Sequence, residues 1–173
     1  MAIREILLLG NPFLRKRCRR VVTPSDPAVT TIARDLRDTL QEFRRLRGFG
    51  RGIAAPQLGS PERVIYIDYE FSGAMINPRI VRRSRKKFLL WDDCFSFPDL
   101  VVKVERSKEI NVEFVDETGT ARSISASGGL AELLQHEIDH LDGVLAVDRA
   151  IDSRHIILRS EFEKLQPGRR WSL

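Results

Sequence analysis

Apolar residues recur along the chain with two different periods, and the changes of period divide it. Val29, Ile32, Ala33, Leu36, Leu40 and Phe43 fall three or four apart, the spacing that gathers apolar side chains on one helix face. Before them, Thr23-Pro24-Ser25-Asp26-Pro27 offers a capping side chain and a first-turn proline, and Gly48 offers a stop. From Arg63 to Ala126 the texture becomes short and β-rich. Val64–Ile67, Arg79–Leu90, Val101–Val104 and Ile110–Val115 read as strands, and Asp116-Glu117-Thr118-Gly119 as a hairpin turn into Ala121–Ala126. Leu130, Leu133, Leu134, Ile138 and Leu141 then restore the helical spacing. A segment Gly143–Val147 and a last helix from Asp152 to Leu165 follow, and the apolar end of Met1–Gly10 reads as a further strand.

A helix, an antiparallel β middle and a C-terminal helix predict an α+β domain, with antiparallel sheets packed around a central helix at 130–141. No internal repeat or low-complexity linker interrupts the chain. Residues 1–165 therefore read as a single metallohydrolase domain, for reasons given below, and 166–173, with Pro167 and Gly168, as a short C-terminal tail. Whether Trp171 packs back onto the body, the sequence leaves open.

Composition narrows the class. With 42% hydrophobic and 31% charged residues in 173, the chain is a globular one with enough length for a core. No apolar run approaches the ~20 residues needed to span a bilayer. The first ten residues are too short and carry an acid, so they do not read as a signal peptide; the expected location is cytoplasmic, with no membrane partner. Two cysteines make a disulfide framework a poor reading. Cys18, among arginines, reads as a small packed hydrophobe more readily than as a reactive thiol. The net charge is +5, with basic clusters at 15–20 and 82–87. These are either solvated surface or a contact for RNA, as on a ribosome; lacking interleaved aromatics, they read as surface, and no sequence-specific nucleic-acid partner is expected.

The candidate chemistry sits on the later helix, in Gln135-His136-Glu137-Ile138-Asp139-His140. Histidines four apart share a helix face and can grip one metal ion, and Glu137 beside them can take a proton from water held there. On the helix, Glu137 falls within the apolar stripe, while Glu132, Gln135, Asp139 and Asp142 fall opposite it, on the side expected to face solvent. A carboxylate drawn out of water beside a metal site suits a general base working near neutral pH. The bland alternative is two surface histidines and a buried Glu satisfied by backbone groups.

A catalytic metal needs a third protein ligand. Glu161, on the predicted last helix, would match the arrangement of thermolysin-like zinc peptidases; Cys94, in Trp91-Asp92-Asp93-Cys94-Phe95-Ser96, is the other candidate. A second motif bears on the choice. In Gly48-Phe49-Gly50-Arg51-Gly52-Ile53-Ala54-Ala55-Pro56-Gln57, the glycines let backbone approach another group closely, and Gln57 ends the run with an amide donor.

Gly-x-Gly-x-Ala-Ala-x-Gln, then Cys-x-Ser, then Gln-His-Glu-x-x-His, in this order, strongly resembles the peptide deformylase family. Asn11-Pro12-x-Leu14-Arg15 and Ile76-Asn77-Pro78 extend the likeness over nearly the whole chain. The resemblance implies that Cys94, His136 and His140 are metal ligands, with ferrous iron the expected ion and zinc, nickel or cobalt able to replace it. It implies that Glu137 is the general acid and base, that Gln57 and the backbone N–H of Phe95 stabilise the oxyanion, and that the Gly50–Gly52 backbone pairs with the substrate as an added strand. The implied substrates are formylated nascent peptides, with transient ribosome contact conceivable, and the expected state is a monomer, a dimer being the alternative.

The chain departs from that pattern near the pocket. The family's middle motif is Glu-Gly-Cys-x-Ser, whereas Asp92 and Asp93 precede Cys94 here. Arg51 stands where valine or isoleucine is usual, Glu132 where an aliphatic residue is common, and Gly129 enlarges the same region. Either Arg51, Asp93 and Glu132 point to solvent at the rim, the reading helix geometry favours for Glu132, or they reshape the pocket toward a substrate other than formyl-methionine. A zinc peptidase using Glu161, a hydrolase of another formamide, and a scaffold that keeps the metal for stability remain the competing readings. His155 is expected on the surface of the last helix.

Overall fold

The computed structural model describes residues 3–165; the expected tail at 166–173, with Trp171, lies outside the described residues. Helix α1 spans Pro27–Arg47, opened by Asp26, whose carboxylate accepts from the Ala28 N–H, and closed at Gly48. Strands β1 (Gly52–Ala54), β2 (Val64–Asp68), β3 (Ser72–Arg83), β4 (Lys87–Asp92), β5 (Leu100–Ser107), β6 (Glu109–Val115) and β7 (Ala121–Ser127) precede α2 (Gly128–Leu141). The described chain ends in β8 (Ile156–Leu158) and α3 (Arg159–Leu165). All pairings are antiparallel, in two sheets ordered β1-β2-β3-β6-β7 and β4-β5-β8.

The larger sheet lies between the two long helices, and β2 shows how. Its alternate residues Val64 and Tyr66 join the cluster of Leu36 and Leu40 from α1, while Ile65 and Ile67 join that of Leu134 and Ile138 from α2. A strand covered on both faces reads as an unbroken apolar run, which is the texture of Val64–Ile67. The smaller sheet packs Val102 and Val104 against Leu14, Cys94, Phe97 and Leu145.

Four expectations are corrected. The single run Arg79–Leu90 is two strands in different sheets. Between them the Ser84 hydroxyl donates to the Lys86 carbonyl, and the turn is tied to its neighbour by Ser84 N–H to Glu109 O and Lys108 N–H to Lys86 O. Residues 3–10 form no ladder: Leu7 and Leu9 donate at isolated points to the carbonyls of Gln57 and Ser96. The last helix is shorter than predicted, because Ile156–Leu158 pair with Leu100–Val102 as a strand, the state β-branched residues favour. A short strand, β1, occupies part of the glycine-alanine loop.

The fourth correction concerns α2. Every residue from Leu130 to Leu141 is buried, including Glu132, Gln135 and Asp139, which the helix pattern assigns to solvent. The side opposite the apolar stripe is covered by polar partners. Gln135 exchanges hydrogen bonds with the Ser107 backbone at 3.0 and 2.9 Å, Asp139 binds Arg106 and Arg149, and Glu132 binds Arg51. Hydrophobic periodicity distinguishes apolar from polar faces; it cannot tell a polar face in water from one satisfied inside the protein.

Candidate active site

Buried on α2, one turn apart, His136 and His140 approach Nε2 to Nε2 at 3.2 Å. The segment after β4 brings Cys94 Sγ to 3.1 Å from His140 Nε2, and the ligand atoms of all three residues lie within 4.8 Å of one another. Tetrahedral bonds of the usual length to one ion would separate sulfur and nitrogen donors by about 3.3–3.6 Å, and the separations of His140 Nε2 from His136 Nε2 and from Cys94 Sγ lie within about half an ångström of that range. The donor chemistry fits as well. Burial pushes the Cys94 thiol above its ordinary pKa, and a divalent cation is the group that would make such a buried thiol a thiolate. Burial, then the neighbouring His136 charge, holds His140 well below its usual range, hence neutral and able to coordinate. Glu161, the competing third ligand, lies on α3, exposed and paired with Lys164 at 2.6 Å.

His136 is oriented from behind. Its Nδ1 donates to Asp92 at 2.9 Å, and Asp92 in turn accepts from Arg106 Nη2 at 3.1 Å. Burial alone would lower His136, but the Asp92 carboxylate beside it raises it well above normal, so that coordination by its Nε2 would release a proton. Burial likewise opposes ionisation of Asp92, and His136 and Arg106 outweigh it, holding the carboxyl below its usual range. Arg106 also binds Asp139 through its other terminal nitrogen. Asp92 lay in a recognised motif without an assigned role. Arg106 carried no signal, since Val-Glu-Arg-Ser on a strand looks like any solvated edge.

Glu137 points to the other side of the histidines. Desolvation raises its pKa to about 7, and among the described residues its buried Oε2 has no hydrogen-bond partner. Its Oε1 lies 2.9 Å from where a Cβ on Gly52 would stand. Gly50 is equally constrained, with φ +132° and Phe95 Cζ 2.6 Å from its missing Cβ position. Phe95 is itself fixed by stacking on Phe43 at 3.8 Å. Gln57 is held by the Ala54 N–H donating to Oε1 at 2.9 Å, which turns its amide nitrogen toward Cys94 Sγ (3.4 Å) and Ser96 Oγ (3.2 Å).

Gln57, Cys94, Phe95, His136 and Glu137 line one cleft of about 600 Å³, together with Gly50–Gly52 and Phe88–Asp92 of β4. Arg51 and Glu132 form a largely buried ion pair in its wall, Nη2 to Oε2 2.7 Å, which overturns the solvent-facing reading of Glu132. Asp93 is also paired, with Arg159 at 2.7 Å, and the Arg159 guanidinium lies 4.5 Å from the Phe49 ring centre. His155 sits in a 3-10 turn beside Trp91, not on the last helix, with Nδ1 on Asp152 at 2.8 Å. Cys18 is buried beneath α2, its backbone N–H donating to the Leu141 carbonyl.

Antiparallel sheets and a helix that presents His-Glu-x-x-His to a cleft, with a cysteine closing on the histidines, define a hydrolase of the metal-dependent kind. A family model, polypeptide deformylase, matches residues 3–155. The peptide deformylase of Rhizobium meliloti is 37% identical over 154 residues, covering 86% of this chain and 85% of its own. The crystal structure of the Thermotoga maritima enzyme superposes with a TM-score of 0.81 at 32% identity, covering 88% of this chain and all of that one. The Met-Ala-Ser-bound enzyme of Acinetobacter baumannii gives 0.78 at 27% identity, over 86% and 99% of the two chains. The chain belongs to the peptide deformylase family.

Proposed function

We propose that this protein removes the N-formyl group from the amino-terminal formyl-methionine of newly made peptides, releasing formate. The observation that carries the reading is the convergence of Cys94, His136 and His140 beside a buried Glu137, at the base of the cleft. Cys94, His136 and His140 would hold one divalent ion, ferrous iron being what membership of the deformylase family implies, with zinc, nickel or cobalt as substitutes that the same thiolate and imidazole donors also suit. When bound, that ion supplies Lewis-acid chemistry, bringing the pKa of a coordinated water down to roughly 7.

The protein's own groups supply the rest. Glu137, poised to accept a proton, takes it from the attacking water. The Gln57 amide and the Phe95 N–H donate to the oxygen of the formyl carbon as negative charge grows there. The Gly50–Gly52 backbone, kept bare by the close approach of Phe95 and Glu137, pairs with the extended peptide. The formyl C–N bond then breaks, Glu137 returns its proton to the leaving nitrogen, and the products are formate and a free amino terminus. Asp92 fixes the tautomer and ring plane of His136 throughout.

The reading extends to the whole molecule. Residues 1–165 act as one metallohydrolase domain built about α2, working as a monomer in the cytoplasm. None of the described helices is long and apolar enough to cross a membrane. The exposed basic residues Arg82, near the end of β3, and Arg85 and Lys86, in the β3–β4 turn, suit a transient ribosome contact.

The test is anaerobic purification, metal analysis, and formate release from formyl-Met-Ala-Ser beside the Glu137→Ala variant. Near-stoichiometric metal and turnover that vanishes in the variant are expected. Metal retained after Cys94→Ala, or no formate from the loaded enzyme, overturns the reading.

A further inference from the structure

The Arg51–Glu132 pair stands in the cleft wall, Glu132 one helical turn before His136 and Arg51 between Gly50 and Gly52, where the deformylase reading would seat the first side chain of the substrate. This inference rests on the deformylase reading. Both side chains are largely withdrawn from water, 22% and 5% exposed. The Arg51 guanidinium lies 5.3 Å from the Tyr69 ring centre, and Tyr69 is backed by Gly129, where a Cβ would meet its hydroxyl at 3.0 Å. A buried ion pair contributes little to stability compared with apolar residues of the same volume, so its effect is felt chiefly by whatever occupies the cleft. Among the described residues, the only hydrogen bond made by the Arg51 side chain is the one to Glu132, although a guanidinium has five N–H donors. Its remaining donors lie in the wall of an otherwise mixed cleft.

We propose that this pair makes the first-residue pocket amphiphilic, so that the enzyme deformylates peptides whose first side chain carries a hydrogen-bond acceptor, methionine sulfoxide and glutamine, as well as formyl-methionine. An apolar wall would leave the sulfoxide oxygen desolvated and unpaired; Arg51 offers it a charged donor. Glu132 neutralises the guanidinium locally, so the polarisable thioether of methionine meets a dipole and not a bare charge. The reaction is unchanged: water adds to the formyl carbon, the C–N bond breaks, and formate and the free amine leave.

The experiment compares kcat/KM for formyl-Xaa-Ala-Ser, with Xaa methionine, norleucine, methionine sulfoxide or glutamine, in the metal-loaded wild type and in Arg51→Ile/Glu132→Leu. Removing both charges avoids stranding one of them. The wild type is expected to process the sulfoxide and glutamine peptides within about tenfold of methionine, and the double variant to lower the sulfoxide-to-methionine ratio by about 10- to 100-fold. Calorimetric binding of the deformylated products to the loaded wild type gives the same ratio without turnover, and serves if the variant fails to fold. Rejection of both polar peptides by more than about a hundredfold, or a ratio unmoved by the double variant, overturns the inference. Absence of turnover on formyl-Met-Ala-Ser itself removes the deformylase reading instead, and the product-binding ratio then decides the pocket separately.

Discussion

Gly52 and Glu137 touch across the cleft: the carboxylate Oε1 occupies space 2.9 Å from the position a methyl group would take on the glycine. The strand that would receive the substrate therefore has no side chain there, and Glu137, the proposed general base, is seated by that absence. Gly52→Ala should push the carboxylate aside, and a displacement of about 1 Å can cost on the order of a hundredfold in rate. The loss should fall on kcat more than on KM. Gly73→Ala, where nothing lies within 4 Å of the added carbon, is the control, and steady-state formate release compares the two.

Asp92 and Arg106 make the histidine site dependent on a buried charge network. Asp92→Asn keeps the shape but weakens the acceptor for His136 Nδ1, and loss of such an outer partner typically lowers metal affinity by about 10- to 100-fold. Competition with a chelator measures this directly. Arg106→Ala does something different. It leaves Asp92 with His136 alone and Asp139 with Arg149 alone; breaking a buried pair from one side costs about 3–5 kcal/mol, to be read from urea unfolding.

The two variants bear on what could be read from residues alone. The bounds of α1 are legible in a capping Asp26, Pro27 and Gly48, and the histidine pair in its motif spacing, whereas the place of Cys94 beside them followed only from the family resemblance, since a lone cysteine leaves Glu161 an equal candidate. Arg51 and Glu132 are 81 positions apart, and each taken singly looks like an ordinary solvated charge. The same holds for Arg106 and Asp139. Pairing between distant polar residues leaves no trace in periodicity, so the helix face that was expected to meet water turned out to be the most heavily bonded one. The Ser84 turn was missed for a related reason: Arg79–Leu90 has β-rich texture throughout, and the break comes from three hydrogen bonds to the neighbouring β5–β6 turn and within itself.

Gln57 is held at both ends of its amide, so Gln57→Ala removes a donor and frees the Ala54 N–H. Loss of one oxyanion donor generally costs about 10²- to 10³-fold in kcat. Gln57→Glu keeps the acceptor for Ala54 and replaces the donor by a carboxylate facing Cys94, so it should be no better than alanine. Pre-steady-state assays on formyl-Met-Ala-Ser separate this from a change in peptide affinity.

The β6–β7 turn should register acid. Asp116 receives hydrogen bonds from the Thr118 hydroxyl and from Arg122, with further ones from the Thr118 and Thr120 N–H groups, and these hold its carboxyl below the usual range. A carboxyl depressed in the folded state stabilises fully above its unfolded pKa, and the contribution is lost as pH falls through the folded one. Acid unfolding of the wild type should therefore be steeper below about pH 4 than that of Asp116→Asn. Equal slopes in circular dichroism titrations would remove the turn from the account.

Cys18 tests the opposite sign at the other end of the scale. Burial beneath α2 pushes its thiol up to about 11, only partly opposed by Arg63. An acid raised in the folded state leaves stability intact below the unfolded pKa and erodes it as pH climbs between the two values. The denaturation midpoint should accordingly drop above about pH 9 in the wild type, and drop less in Cys18→Ala. The same burial predicts that the thiol is not a reactive one, despite four basic neighbours within residues 16–20. Treated with a maleimide at pH 8 and mapped by peptide mass, native protein should be unlabelled at Cys18 and become labelled only on unfolding; rapid native labelling would mean that the arginines, and not the core, govern the thiol.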